Sequence, residues 1–129
     1  MQQIMTPVSP GELLDKITIL RIKRERFAAG EKRDHVLHEL DLLEQAWQQT
    51  GLETAEILAL VAELQQVNEQ LWVIEDDIRD KERAQSFGAE FIALARSVYQ
   101  RNDHRAALKK QINQALGSDL VEEKSYQAY

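Results

Sequence analysis

The chain has no cysteine. That excludes a disulfide framework, a thiolate metal site and a cysteine nucleophile. It has two prolines and five glycines in 129 residues, so little interrupts a regular helical backbone. No apolar run approaches the length of a membrane span, and the opening MQQIMTPVSP lacks the basic and apolar regions of a signal peptide. We therefore expect a soluble, cytoplasmic protein with no membrane insertion. A Gly-rich phosphate loop, a Ser/His/Asp arrangement with a local signature, an internal repeat and a low-complexity stretch are also absent. The length suits one helical domain over 1–129 with a real but modest core.

What is present is charge, unevenly spread. The net charge is −6. Residues 1–33 carry a net +3, residues 34–85 a net −10 and residues 86–129 a net +1. A basic first segment and an acidic middle one attract each other when packed side by side, which favours an intramolecular bundle. The overall acidity argues against a nucleic-acid partner, because such binding rests on neutralising phosphates and would need a continuous basic face.

The longest uninterrupted stretch is 54–83, with neither Gly nor Pro. Ile57, Leu60, Leu64, Val67, Leu71, Ile74 and Ile78 recur in it at alternating steps of three and four. That is a heptad seam, which keeps one stripe facing a partner helix. At about 1.5 Å per residue the stretch makes a rod of roughly 45 Å. It cannot bury its seam alone. Either the rest of the chain covers it, or a second copy or a partner protein does.

Four further helices are expected around it. Ser9-Pro10-Gly11-Glu12 reads as a capped start with a capping box, and Gly30 as the stop of a first helix running to about Ala29. This helix has two apolar faces, one with Leu14, Ile17 and Leu20, the other with Ile19 and Ile22, so it should touch more than one neighbour. Glu31 to Thr50 forms the second helix and Gly51 stops it. After Ser86-Phe87-Gly88 comes a fourth helix, with Phe91, Leu94 and Val98 inward. Asn102 and Asp103 then cap a fifth, His104 to Leu116. The expected fold is an all-α antiparallel bundle of about five helices built on the rod at 54–83. The tail 118–129, with Leu120, Val121, Tyr126 and Tyr129, should dock on it.

Candidate site residues come from cations in unusual places. Arg24 falls inside the apolar stripe of the first helix and Arg21 on its edge. A charge there needs a partner: an acid of the rod, or an anionic ligand. The junction Arg101-Asn102-Asp103-His104-Arg105 offers helix N-terminal N–H groups and guanidinium groups, which suits an anion. Lys16, Arg21, Arg24, Arg96, Arg101, Asn102, Asp103 and Arg105 form an anion site if the helices that carry them meet at one end of the rod. The pair His35 and His38 lacks a third ligand in a known motif. We expect no metal site and no cofactor. At the end of the rod, Glu75–Arg79 and Asp77–Lys81 are spaced as stabilising pairs.

Several stretches together resemble a known family. They are PVSPGELLDKITIL at 7–20, Leu71-Trp72 through Ile78-Arg79, the run from Leu94 to Tyr99 with Asn102-Asp103 and Arg105 to Lys109, and Gly117-Ser118 with Val121 to Tyr126. The chain resembles an uncharacterised bacterial family of small helical proteins described only as a domain of unknown function. The resemblance covers nearly the whole chain. It implies a loose association with glycosyltransferase and surface-polysaccharide genes, and no activity or catalytic residue. It singles out Glu12, Asp15, Lys16, Arg96, Asn102, Asp103 and Arg105, polar positions that packing alone does not explain. Lys16, Arg21 and Arg24 are also similar to the inward cations of small all-helical chorismate mutases, which bind a dicarboxylate. In that family the long helix comes first, and here it is third.

Two functions compete. One is a non-enzymatic interaction or binding module, accessory to glycan or polysaccharide synthesis, acting as a homodimer or with a partner protein through the seam. The other is a small enzyme or ligand-binding domain for an anionic metabolite: a phosphorylated sugar, a nucleotide or a dicarboxylate.

Overall fold

The computed structural model describes residues 2–129. It holds four helices and, among the described residues, no strand. They are α1 (Pro10–Arg26), α2 (Glu31–Thr50), α3 (Ala55–Arg83) and α4 (Ala89–Ala115).

The starts and stops follow local chemistry. The Ser9 hydroxyl accepts from the Glu12 N–H at 3.1 Å, and Pro10 opens α1. Only half of the expected capping box forms, because the Glu12 carboxylate turns to Lys109 of α4 instead. α1 stops at Arg26, three residues early: Phe27 is extended, and its ring lies against Trp72. Gly51 ends α2 in the left-handed conformation at φ 65°. The Thr54 hydroxyl accepts from the Ile57 N–H at 3.2 Å and opens α3.

Two expectations need correction. The fourth and fifth expected helices are one helix, α4, of 27 residues. Asn102 and Asp103 lie in its middle. They are good caps only where the backbone leaves helical angles, and neither Gly nor Pro makes it leave here. The Asn102 side chain is taken up by Arg105, at 3.5 Å from Nη1. The burying face runs on through Leu108 and Ile112, so tertiary packing overrides the weak local preference. The second correction concerns the centre. α3 is the longest helix, at 29 residues, but α1 is the element that touches all three others. α2 approaches α1 alone. The two apolar faces of α1 explain this: Leu14, Ile17 and Leu20 on one side and Ile22 on the other are all buried.

α3 and α4 run antiparallel, so that Lys81 near the end of α3 pairs with Glu90 at the start of α4. The core lies where α1 crosses this pair. Ile57, Val61, Leu64 and Val67 of α3 meet Leu108 and Ile112 of α4 and Leu14, Ile17 and Leu20 of α1. Past Trp72, α1 gives out. There Ile74 and Ile78 of α3, and Phe91, Leu94 and Val98 of α4, stay half-buried. The seam is thus closed in its first half and open in its second, on a two-helix arm.

Candidate functional site

The site begins with a buried carboxylate. Asp15, in the second turn of α1, is 2% exposed. Burial of an ionised carboxylate demands full pairing. Asp15 receives it from two helices. Arg105 of α4 donates to it twice, through Nε at 2.9 Å and through Nη2. Asn68 of α3 donates through Nδ2 at 3.0 Å. The other Asn68 amide hydrogen goes to the Thr18 hydroxyl at 2.9 Å, and that hydroxyl donates to the Asp15 carbonyl at 2.7 Å. One carboxylate therefore ties three helices together.

One helical turn beyond Arg105 sits Lys109, 8% exposed. Its ammonium meets Glu12 at 2.7 Å and Glu122, from the C-terminal tail, at 3.0 Å. Asp15 is 4.0 Å away. Burial works against the Lys109 charge, and the hydrogen bonds to Glu12 and Glu122 outweigh it, so its pKa is raised. The hydrogen bond from Lys109 in turn holds the Glu122 carboxyl below its usual range. The bond to Asp15 raises the Arg105 guanidinium further. Beneath them the helices nearly touch. The Gly11 N–H donates to Asn113 Oδ1 at 2.7 Å, satisfying a first-turn donor. A Cβ on Gly11 would stand 2.6 Å from the Lys109 carbonyl oxygen.

Above this centre, between α4 and the tail, lies a cavity of about 780 Å³. Arg105, Lys109 and Asn102 form part of its wall, and Tyr99, Tyr126 and Tyr129 supply rings. Tyr129 leans edge-on against Tyr99, with centroids 5.0 Å apart. Asp103 beside the Tyr129 hydroxyl raises that phenol above its usual range. A second hollow of about 510 Å³ opens on the other side of Arg105, over Ile19, Ile22, Leu71 and Trp72. Arg105 and Asn102 line both.

The sequence-derived candidates separate into two groups. Asn102, Asp103 and Arg105 meet at the cavity. Arg96 lies one turn away, its Nε 3.4 Å from the Tyr99 hydroxyl, and Arg101 turns to Gln70 of α3 at 3.2 Å. The cations of α1 lie elsewhere. Lys16 pairs with Glu39 at 2.8 Å and Arg21 with Glu44 at 3.3 Å, both across to α2. The guanidinium of Arg24 has no carboxylate within 4.0 Å among the described residues, and its backbone carbonyl accepts from Arg33 Nε at 3.1 Å. At the end of α3, Glu75–Arg79 forms at 2.9 Å, while Lys81 leaves Asp77 for Glu90. Lys109, Asn68 and Asn113 went unremarked as site residues. The signal for Lys109 was its spacing: four residues from Arg105 and beside the apolar Leu108.

Fold and site together define a four-helix protein, three of whose helices are locked by a buried carboxylate–guanidinium centre under a tyrosine-walled cavity. The chain belongs to a family of unknown function, DUF6165, whose model matches residues 4–129. This agrees with the family resemblance drawn from its opening motif. No curated protein and no solved structure matches the chain. Among the described residues no helix is long and apolar enough to cross a membrane.

Proposed function

We propose that the protein is a non-enzymatic binding module, and that its ligand is a small sugar derivative bearing an anionic group, held in the cavity between α4 and the tail. The observation that carries this reading is the mixed lining. Tyrosine rings stand with Arg105, Lys109 and Asn102 and with the carboxylates of Glu12 and Asp103. Aromatic faces take the C–H face of a sugar ring. Hydroxyls need donors and acceptors side by side, and a phosphate or carboxylate needs a cation. The volume falls in the range of small-molecule sites. Binding is favoured over catalysis because Asp15 and Glu12 are already tied to Arg105 and Lys109.

The test is thermal shift against sugar phosphates, nucleotide sugars, nucleotides and dicarboxylates. A ligand of the native state raises the melting temperature by mass action. The expected result is a shift with one sugar class that Tyr99→Ala or Asn102→Ala abolishes. A flat response across the panel sinks the reading.

A second reading rests on the arm. Val73, Phe87 and Ile92 are 45%, 46% and 55% exposed there, beside the open half of the seam. A second copy, adding its own two arm helices, would complete a four-helix bundle on this face, and a single partner helix would make it three-stranded. Sedimentation over a range of concentrations, with Ile92→Glu as the contrast, tests the second-copy form. A monomer at every concentration removes it.

A further inference from the structure

The Lys109 ammonium has three N–H donors. Glu12 takes one from within the helical body, at 2.7 Å. Glu122 takes another from the tail, at 3.0 Å, on the side of the cavity. Asp15 at 4.0 Å is beyond hydrogen-bond range. Within the helices Glu12 and Asp15 already balance Arg105 and Lys109, and the tail brings Glu122 together with its own cation, Lys124. Without the tail the remaining four groups are neutral. Glu122 is thus the carboxylate that the buried network does not need.

The tail is otherwise lightly held. Leu120, Val121, Tyr126 and Tyr129 are exposed. Beyond the helix end, its links to α4 are the Glu122–Lys109 pair and the contacts of Tyr129 with the Tyr99 ring and with Asp103. Lys124 pairs with Glu122 itself, at 3.5 Å, and adds no link to the body. An ion pair with one half-exposed partner is a weak tether.

We infer that the Glu122 carboxylate is an internal substitute for the ligand's anionic group, occupying the outward N–H of Lys109, so that the tail is a strap which a ligand must displace. This rests on the reading of the cavity as a ligand site. It makes Lys109 the residue that receives the anion, and it makes the empty protein self-occupied. The ligand's sugar portion would then meet Tyr99 and the α4 wall, while Glu122 swings out with Lys124.

The experiment uses the full chain, Glu122→Gln, Glu123→Gln as a control on an exposed neighbour, and glucose 1-phosphate as the probe. Steady-state heteronuclear NOE values of the 121–129 amides report tail order, and calorimetry reports binding. Glu122→Gln should lower the NOE values and tighten probe binding about two- to fivefold, the size expected for releasing a surface ion pair. Glu123→Gln should do neither. In the wild type, saturating probe should lower the same NOE values. Equal or weaker binding to Glu122→Gln, or a tail unmoved by bound probe, overturns the strap while leaving the cavity as a site. No binding by either form overturns the cavity reading and the competition with it. Binding to Glu122→Gln alone is the strongest support for competition.

Discussion

Asp15 accepts three hydrogen bonds in a place with almost no water, and those bonds come from α3 and α4. Its charge is tolerable only with Arg105 present. Replacing Arg105 by Met leaves a buried carboxylate unmatched and should cost about 3 kcal/mol. The urea midpoint falls, at an unchanged slope, and Asp15→Leu in the same chain restores much of it. A double variant as unstable as the single one would show that packing, not charge, holds this corner. Gly11 gives an unusual sign. Gly to Ala inside a helix normally stabilises by up to about 1 kcal/mol. Here the new methyl meets the Lys109 carbonyl oxygen at 2.6 Å and Asn113 Oδ1 at 3.0 Å. Gly11→Ala should therefore destabilise by about 1–3 kcal/mol, seen as a lower melting temperature; a rise would place the two helices farther apart than described. At this scale the sequence was half legible. Arg105 and Asp103 announce themselves as polar residues beside a cap signal. Asn68 does not, because an asparagine between Val67 and Glu69 looks the same whether it faces water or Asp15.

At the scale of the helices, one seam has two environments. Leu64 is fully buried where α1 crosses α3, and Ile78 is half-buried on the arm. Leu64→Ala should cost about 3 kcal/mol, cavity included, and Ile78→Ala about 1 kcal/mol. Equal losses in chemical denaturation would mean that the arm is covered in solution, by a second copy or by the tail. The heptad spacing made the helix itself plain, and the stop signals Gly51 and Gly30 marked the approaches to it and to α2. It could not reveal that cover runs out at Trp72, because that depends on the length of α1, 17 residues against 29. Nor could it show that Asn102 and Asp103 lie mid-helix, since a cap signal states a preference that the burial of Leu108 and Ile112 outweighs. The shared centre is a similar case. Two apolar faces on α1 are visible in the sequence, but a pattern of faces does not say which helices cover them.

For the whole molecule, the body and the tail answer to pH differently. Glu122 is lowered by its bond to Lys109, so its contribution is present above the ordinary carboxylate value and lost as pH falls through the lowered one. Lys109 is raised, so its contribution is present below the ordinary lysine value and lost as pH rises through the raised one. The tail should therefore stay attached across neutral pH and detach in acid. Amide NOE values for 121–129, followed downward from pH 7, should collapse near or below the ordinary carboxylate value, and in Glu122→Gln they should already be low at pH 7. A wild-type tail that stays ordered through that acid range would mean that the contacts of Tyr129 with Tyr99 and Asp103 suffice without the ion pair. None of this was visible as charge totals along the chain. A net +1 over 86–129 conceals a lysine and a glutamate that meet thirteen residues apart.

The tryptophans divide along the same line as the seam. Trp47 lies in the body, nearly all buried, with its indole N–H donating to Glu53 at 3.1 Å. Trp72 stands at the foot of the arm, half-buried, between Phe27 and the Arg26 guanidinium. The molecule thereby carries two native fluorophores, one for each half. With Trp47→Phe the remaining emission watches the arm, and with Trp72→Phe it watches the body. Fraying of the hairpin, docking of a second chain and melting of the body then become separate optical signals, readable without attaching a dye.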